Sequence, residues 1–321
     1  MKPFDENLDV AICGDIYVGG ENRPFFDEKV KSLLGSANVA IANLEAPILA
    51  NGESFRPMKK HSTLASTNNI INAILDAKFT DVTLANNHFM DYGELAARNT
   101  MKLLSKAGIG FIGAGKNNKE AYAPLKKGNL WITSSTSVLV PDAASTDTSF
   151  GVASIEVRSY YGTSQLIPME EPGSPYYIRC DISSESLKRL KPPRNNGISK
   201  IAIVHWGIGL KPYNTIVTPY QKELGHMLID AGYDIVIGTH PHTVQDIEAY
   251  KGHLIMYGLG NFLFHPIMSG MEPIGTIFFS NPMDKEYGIA FITQNEYRVT
   301  LLDINSDPVK EKIDLFRKNL K

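Results

Sequence analysis

Short apolar segments rich in Val and Ile alternate with amphipathic helical patterns from Asp9 to Thr239. This feature restricts the fold more than any other, because strands that alternate with helices form parallel sheets covered by those helices. We predict strands at DVAIC (9–13), VAIANL (39–44), DVTLA (81–85), GIGFIG (108–113), LWITSS (130–135), KIAIVH (200–205) and DIVIGT (234–239). We predict helices from Pro24 to Leu34, Asn68 to Ala77, Gly93 to Ala107 and Pro219 to Ala231.

The pattern changes after the last of these strands. A hairpin is predicted around Lys251 and Gly252, and the segments IGTIFFS, YGIAFIT and EYRVTLLDI alternate as antiparallel strands do. A final helix is predicted over 308–319. The segment around 140–178 is rich in Pro, Ser, Thr, Gly and Tyr, so we predict an irregular insert, either a functional loop or a disordered one. The length suits one large α/β domain or two small ones, and we expect a single domain over 1–321.

Composition excludes several classes of protein. A formal net charge of −2 and a pI near 6.5 argue against general nucleic-acid binding. The segment 1–13 carries carboxylates where a signal peptide needs an apolar region. The longest apolar stretch, 254–268, contains Gly, Asn, His and Pro and is too short to span a bilayer. Cys13 and Cys180 are too few for a disulfide framework. We therefore expect a cytoplasmic protein without a membrane anchor.

Polar side chains of the kinds that bind metals follow several predicted strands at the point where each strand ends. They are Asp15, Glu45, Asn87, His88, His205, His240 and His242. In α/β sheets, ligands bind beyond the carboxyl ends of the strands. A single acid there is more often a helix cap or a turn residue. Carboxylates, an amide and imidazoles together suit Mn²⁺, Fe or Zn²⁺, so we predict a site for one or two divalent metal ions.

The segment GTHPH places His240 and His242 one residue apart after a buried strand. In an extended chain, residues i and i+2 face the same side, so both imidazoles can converge on one point, with Pro241 stiffening the backbone between them. The alternative is a pair of solvated loop histidines. A carboxylate such as Glu45 can bridge two ions about 3.5–4 Å apart, an arrangement that serves hydrolysis.

A series of motifs in this order resembles the CapA family. The motifs are GD (14–15), NLE (43–45), LANNHFMDYG (84–93), GIGFIGAGKN (108–117), HWG (205–207), LIDAGYDIVIGTHPH (228–242) and YGLGNFLF (257–264). That family is named for poly-γ-glutamate capsule biosynthesis and is similar in fold to the calcineurin-like metallophosphoesterases. The resemblance covers nearly the whole chain, from about Asp9 to about Phe264, and implies two packed sheets flanked by helices (α/β/β/α) with the site at the rim.

The resemblance also implies roles for the polar residues. Asp15 matches the first aspartate, Glu45 the bridging carboxylate and Asn87 the amide ligand. The later imidazole ligands are matched by His205, His240 and His242, whereas His88 matches the histidine that faces the substrate. By the same resemblance, His240 shares one metal position with Glu45, Asn87 and His205, and His242 shares a poorer one with Asp15 and Glu45. Asp91 either orients His88 or caps the helix that follows it.

The sequence departs from the family pattern at three places. The phosphoesterase motif D-x-H reads Asp15, Ile16, Tyr17 here, so one metal position lacks an imidazole. The family motif HWGxE has Gly209 in place of the glutamate. Capsule-machinery members are typically anchored in a membrane, and no anchor is predicted here.

Four other polar residues are weaker candidates for substrate contact. Lys60 and His61 belong to a cationic loop that either meets an anionic substrate or is merely solvated. Asn261 either supports the metal site or shapes a turn with Gly260, and His265 directly follows the segment GNFLF. Tyrosines at 160, 161, 176 and 177 either line a pocket or pack at loop edges.

Three functions fit these residues. The first is a metal-dependent enzyme that hydrolyses a phosphoester or an amide or γ-glutamyl bond, with His88 and Asp91 as catalytic residues. The second is a peptide epimerase or isomerase that removes a Cα proton at the same site. The third is a non-enzymatic accessory protein of poly-γ-glutamate synthesis. The expected partner is a small-molecule, peptide or γ-glutamyl substrate; the sequence does not predict the oligomeric state.

Overall fold

The computed structural model describes residues 8–20, 22–49, 55–60, 62–163, 175–195, 197–209, 211, 213–266, 271–281, 286–303 and 305–319. The strands are β1 (Leu8–Val18), β2 (Phe25–Phe26), β3 (Ala37–Leu44), β4 (Asp81–Thr83), β5 (Gly110–Ile112), β6 (Ala114–Gly115), β7 (Leu125–Lys127), β8 (Leu130–Thr136), β9 (Gly151–Val152), β10 (Val157–Thr163), β11 (Pro175–Ile182), β12 (Ser199–His205), β13 (Ile235–Thr239), β14 (Ile247–Tyr250), β15 (His253–Met256), β16 (Asn261–His265), β17 (Ile274–Asn281), β18 (Glu286–Asn295) and β19 (Arg298–Leu301). The helices are α1 (Glu28–Gly35), α2 (Asn69–Asp76), α3 (Gly93–Lys106), α4 (Asn118–Ala121), α5 (Ser184–Leu190), α6 (Pro219–Asp230) and α7 (Asp307–Asn319).

Two large sheets organise these strands. A nine-stranded sheet has the order β2-β19-β18-β17-β1-β3-β4-β5, with β16 paired to β1, and a six-stranded sheet has the order β14-β15-β13-β12-β8-β7. In the first sheet β1, β3, β4 and β5 are parallel, and in the second β8, β12, β13 and β15 are parallel. The carboxyl ends of the parallel strands in each sheet therefore lie together at one edge of that sheet.

The two sheets pack against each other through one apolar layer. Val10 and Ile12 of β1 lie in this layer with Ile201 and Ile203 of β12. The intervening residues of β1 point to the opposite face, where they share one apolar cluster with residues of α1, α2 and α3, and the outer face of the six-stranded sheet packs on α6. Both faces of the central strands are buried, which explains why their sequences read as continuous apolar runs. The predicted α/β/β/α arrangement is confirmed.

The first predicted strand continues further than expected. Instead of ending before Asp15, β1 runs on to Val18, with an irregularity in its pairing next to Asp15. The extension exists because β1 pairs with β3 on one side and with β16 on the other. Asp15 is therefore held inside a three-stranded parallel arrangement, and its position is fixed from both sides.

The predicted segments 108–113, 140–178 and 308–319 all contain regular secondary structure. The predicted strand 108–113 is divided into β5 and β6, because Gly113 has a φ of +96°. The segment 140–178 is not irregular throughout, since it contains β9 and the antiparallel pair β10 and β11. The final helix is confirmed as α7. Within the described part of the chain, every helix is too short or too polar to traverse a bilayer.

Candidate metal centre

Five side chains of the types that bind metals meet at the edge where strands of both sheets end. They are Asp15 in β1, Glu45 after β3, His205 at the end of β12, and His240 and His242 after β13. All are buried, with at most 9% of each residue exposed. They form two overlapping groups, in each of which one nitrogen or oxygen atom per residue lies within 4.8 Å of the others. Glu45 belongs to both groups. Atoms at this spacing can close on a common ion with bonds of about 2.0–2.2 Å.

The first group consists of Glu45, His205 and His240. His205 Nε2 lies 3.6 Å from Glu45 Oε1, and the His205 and His240 rings have centroids 4.6 Å apart. Asn87 adds an amide oxygen, because its Oδ1 lies 2.9 Å from His205 Nε2. This position thus has two imidazoles, a carboxylate and an amide.

The second group consists of Asp15, Glu45 and His242. His242 Nε2 lies 3.6 Å from Glu45 Oε1, and its Nδ1 lies 3.5 Å from Asp15 Oδ2. Asn261 Oδ1 lies 2.9 Å from His242 Nδ1. Because an amide oxygen only accepts hydrogen bonds, Nδ1 carries the proton and Nε2 presents its lone pair towards Glu45. Asn261 is therefore placed where it sets the tautomer of a candidate ligand.

Several buried polar atoms of the centre have no hydrogen-bond partner among the described residues, as is expected where a cation binds. Both carboxyl oxygens of Glu45 and the Nδ1 atom of His240 are buried without a hydrogen-bond partner among the described residues. Leaving a buried acceptor without a partner costs about 1–3 kcal/mol, and more for a charged group. A divalent ion between the two groups would satisfy these atoms, and the mixture of carboxylate, amide and imidazole ligands suits Mn²⁺, Fe or Zn²⁺.

Burial controls the protonation of these residues. Burial raises the pKa of Asp15 to about 7, although hydrogen bonds from the Asn43 amide and the His240 backbone N–H act to lower it. Burial, followed by the Asp15 charge, raises the pKa of Glu45 well above its usual value. Burial lowers the pKa of His205 and His240 well below the usual range and that of His242 to about 4. The imidazoles are thus neutral at pH 7, as metal ligands must be, and a nearby positive charge would favour the ionised form of both carboxyl groups.

The His240–His242 segment is a bend and not an extended chain. Strand β13 ends at Thr239, and His240 and His242 have φ values of +94° and +55°. The expectation that strand alternation aligns the two imidazoles is therefore wrong, although both side chains do reach the centre. Two hydrogen bonds hold the bend: the His240 N–H donates to Asp15 Oδ2 over 3.1 Å, and Asn214 Nδ2 donates to the Pro241 carbonyl over 3.0 Å. Such strained backbone persists only where its surroundings fix it.

Asn43 is a residue of the centre that the sequence analysis missed. Its Nδ2 donates to Asp15 Oδ1 over 2.8 Å, and its Oδ1 accepts from Thr83 Oγ1 and Asn86 Nδ2, each over 3.1 Å. Asn86 in turn accepts from the backbone N–H of His88. The sequence did contain a signal for this role, because Asn43 lies inside the apolar run VAIANL. Burying an amide there without a hydrogen-bond partner would cost free energy, so a polar partner was to be expected.

His88 belongs to a buried cluster beside Asn87. Its Nδ1 lies 2.6 Å from Asp91 Oδ2, so the carboxylate orients the ring. Asp91 does not cap α3, whose N-cap residue is Tyr92; it accepts from the Leu64 N–H over 2.6 Å instead. Of the two interpretations of Asp91, the structure favours the partner of His88.

Lys60 is part of the same cluster and not of a solvated loop. Its side chain is only 12% exposed and forms an ion pair with Asp91. Its Nζ also donates to the Asn87 carbonyl over 2.6 Å. Lys60 therefore holds the segment that carries Asn87 and His88. His61 lies outside the described residues.

Of the remaining candidates, His265 and Tyr160 are described by the structure, and neither belongs to one of the ligand groups. His265 is further along β16, and its ring packs against Tyr297 in a tilted arrangement with centroids 3.6 Å apart. Tyr160 is exposed and lies under the Arg179 guanidinium. The side chains of the tyrosines at 161, 176 and 177 lie outside the described residues.

Two of the motif departures lie near histidines of the centre: Tyr17 is near His242, and Gly209 is near His240. Tyr17, in place of the D-x-H histidine, packs on Phe264 with ring centroids 5.0 Å apart, and Phe264 contacts the His242 ring edge to face. Tyr17 thus packs in an aromatic contact next to His242 instead of offering an imidazole. At Gly209, a Cβ atom would lie only 3.1 Å from His240 Nε2, so the glycine leaves that nitrogen uncovered.

Comparisons with known proteins identify relatives of this chain. The chain is 27% identical over 270 residues to the capsule biosynthesis protein CapA of Bacillus anthracis, which covers 81% of this chain and 60% of that relative. It is 26% identical over 270 residues to the PGA biosynthesis protein CapA of Bacillus subtilis, covering 81% of this chain and 64% of the relative. It is 28% identical over 230 residues to a probable polyglutamine synthesis accessory protein of Mycobacterium tuberculosis, and this match covers 70% of this chain and 55% of the relative.

The chain therefore spans about three fifths of the length of these relatives. A family model for the bacterial capsule synthesis protein PGA_cap matches residues 9–266, which include every candidate ligand. Because this match covers most of the chain, the protein belongs to the PGA_cap family of bacterial capsule synthesis proteins.

Proposed function

We propose that the protein is a metal-dependent hydrolase that cleaves a phosphoester or an amide or γ-glutamyl bond. The observation that carries the proposal is the position of Glu45. Its buried carboxyl group belongs to both ligand groups and has no hydrogen-bond partner on either oxygen among the described residues. A carboxylate in this environment is suited to bridge two cations, an arrangement that recurs in hydrolytic enzymes.

The residues divide between two metal positions. Glu45, His205 and His240, with Asn87, would hold one ion, and Asp15, Glu45 and His242 would hold the other. Divalent ions bound there would supply Lewis acidity towards a phosphoryl or carbonyl oxygen and would lower the pKa of a water molecule. Asn261 fixes the ligating nitrogen of His242, and Asn43 orients Asp15.

His88 is the residue we assign to proton transfer. The hydrogen bond between its Nδ1 and Asp91 leaves Nε2 free to exchange a proton with a substrate or leaving group. Asp91 holds the imidazole in the required orientation, and Lys60 holds Asp91 and the Asn87 backbone. His88 is not a member of either ligand group, so it remains available for this role when the ligands are engaged.

The relatives suggest where to look for the substrate. Their names connect them with capsule, PGA and polyglutamine synthesis, so γ-glutamyl peptides belong in the first screen beside phosphoesters. The M. tuberculosis relative is described as an accessory protein, and this supports a second candidate, a non-enzymatic role in polymer synthesis in which the ligands bind metal without catalysis.

The test begins with metal analysis of protein purified without chelators. Release of phosphate or amine from phosphoesters and γ-glutamyl peptides is then measured with Mn²⁺, Fe²⁺ and Zn²⁺. We expect hydrolysis that is lost in Glu45→Ala and that falls about 10²–10⁴-fold in His88→Asn, while His88→Asn retains its metal. His253→Ala, a histidine in the hairpin of the second sheet, is the matched control. A product of inverted chirality without hydrolysis would favour the epimerase, and metal binding without turnover would favour the accessory role.

A further inference from the structure

Three apolar side chains are exposed in the segment that follows His205. They are Ile208, Tyr213 and Ile216, with 37%, 59% and 52% of each residue exposed, and we call them the apolar rim. The described part of the chain exposes nine large apolar side chains, and three of the nine fall within 208–216. Single exposed apolar residues are common on proteins, whereas several in one place mark a binding surface. The apolar rim is therefore a candidate binding surface.

Buried polar contacts anchor the turn that carries Tyr213 and Ile216. The Ile216 backbone N–H donates to the Tyr213 carbonyl over 3.1 Å, next to a short 3₁₀ helix over 213–215. Side chains three residues apart in such a helix lie above one another, so these two side chains are neighbours. The buried Gln245 Nε2 donates to the carbonyls of Asn214 and Ile216 over 2.8 and 3.0 Å. Because these contacts fix the backbone of the turn, the exposure of the apolar pair follows from the fold.

The apolar rim adjoins the metal centre at two points. Asn214 Nδ2 donates to the Pro241 carbonyl over 3.0 Å, within the bend that follows β13. Gly209 comes directly after Ile208, and a Cβ atom there would lie 3.1 Å from His240 Nε2. Because Gly209 has no side chain, this position leaves the His240 ring open towards the rim. A molecule held at the first ligand group can therefore extend onto the apolar rim.

We infer that the substrate carries an apolar group beside the bond that is cleaved, and that the apolar rim binds this group. Burial of such a group is favourable in proportion to the apolar area removed from water, and the Tyr213 ring can pack against an aromatic group. An ionised group would instead lose hydration against these side chains. The inference rests on the proposed function, because it places the cleaved bond at the metal centre.

Isothermal titration of the full chain loaded with Mn²⁺ tests this inference with two ligands, benzylphosphonate and methylphosphonate. They share one anionic group and differ in the apolar group attached to it. We expect benzylphosphonate to bind at least about tenfold more tightly than methylphosphonate. In the triple variant Ile208→Ser/Tyr213→Ser/Ile216→Ser, the two dissociation constants should differ by less than about threefold. The single variant Tyr213→Ser should reduce the preference in the same direction.

Two control variants separate the apolar rim from other surfaces. Leu75→Ser/Leu95→Ser/Met227→Ser removes three exposed apolar side chains from α2, α3 and α6 and should keep the preference for benzylphosphonate. Lys211→Gln removes an exposed charge from the same segment as the rim and should also keep it, because the benzyl group is uncharged. Circular dichroism establishes that each variant is folded.

Several results would overturn the inference. They are equal affinities for the two phosphonates, the absence of binding of either one, and a preference that the triple variant retains. A dimer of the unmutated protein in sedimentation velocity that dissociates in the triple variant would assign the rim to a second copy of the chain instead. Failure of the proposed function is recognised separately, as the absence of hydrolysis in the substrate screen. Hydrolysis together with equal phosphonate affinities would overturn this inference alone.

Discussion

Asp15 and Asn43 are register partners on the adjacent parallel strands β1 and β3, and Asn43 Nδ2 donates a hydrogen bond to Asp15 Oδ1 over 2.8 Å. On the other side of β1, Asp15 is the register partner of Asn261 in β16, which accepts from His242. Two amides thus flank the carboxyl group, and each one fixes a candidate ligand.

Substitution of Asn43 should weaken metal binding without removing a ligand. In Asn43→Ala, Asp15 loses the amide that orients it, and loss of such an orienting partner typically costs about 10–100-fold in metal affinity. Isothermal titration with Mn²⁺ measures the change. Asn38→Ala, at the exposed start of the same strand, is the control and should bind as the unmutated protein does. Unchanged affinity in Asn43→Ala would show that the hydrogen bond is not needed.

The sequence predicted which side chains meet at the centre better than it predicted the residues that support them. Asp15, Glu45, His205 and His240 were proposed as candidate ligands because each follows an apolar run, and parallel strands bring their carboxyl ends together. Asn43 was missed because it lies inside a strand, and its role depends on which strands are neighbours. Periodicity along one chain does not specify pairing between strands.

The conformation around the histidine pair was also beyond local reasoning. The positive φ values of His240 and His242 are unfavourable for these residues alone and are maintained by contacts from Asp15 and Asn214. The burial of Lys60 was likewise not apparent from its neighbours in the sequence, because its partner Asp91 is distant along the chain.

Asn214→Ala should reduce affinity at both metal positions. The bend between His240 and His242 would lose its contact at the Pro241 carbonyl, and both imidazoles depend on that bend. We expect a loss of about 1–3 kcal/mol in the unfolding free energy of the metal-free protein, because a buried carbonyl loses its partner. Titration and urea denaturation measure the two effects. Asn195→Ala, an exposed asparagine, is the control, and equal affinities in both variants would contradict the role of Asn214.

The buried pair of Lys60 and Asp91 should show strong coupling. Lys60→Met leaves the Asp91 carboxylate buried without its cation, and breaking such a pair from one side costs about 3–5 kcal/mol. The double variant Lys60→Met/Asp91→Asn should be less destabilised than the sum of the single variants, as urea denaturation of all four proteins would reveal. Additive losses would mean that the two side chains do not interact.

Glu248 provides a pH-dependent prediction away from the metal centre. Burial favours its protonated form, but hydrogen bonds from Tyr257 and His226, with the charges of His226 and Lys222, outweigh burial and lower its pKa below 4.5. A lowered carboxyl pKa stabilises the fold above the unfolded-state value, and that stability is lost as the pH falls through the folded-state pKa.

The stability difference between the unmutated protein and Glu248→Gln should therefore be larger at pH 7 than at an acidic pH below the folded-state pKa. Denaturant unfolding at both pH values measures it. A difference that is independent of pH would show that the carboxylate does not contribute through its charge.

The central claim is that two unequal metal positions share Glu45, and stepwise titration of the metal-free protein with Mn²⁺ or Zn²⁺ tests it most directly. One position has Glu45, His205 and His240 with Asn87 nearby, whereas the other has Asp15, Glu45 and His242. We predict one tight and one weak binding event, with the tight event lost in His240→Ala and only the weak event lost in His242→Ala, while His253→Ala keeps both. Two equally tight events in the unmutated protein, or loss of the tight event in His242→Ala, would contradict the account.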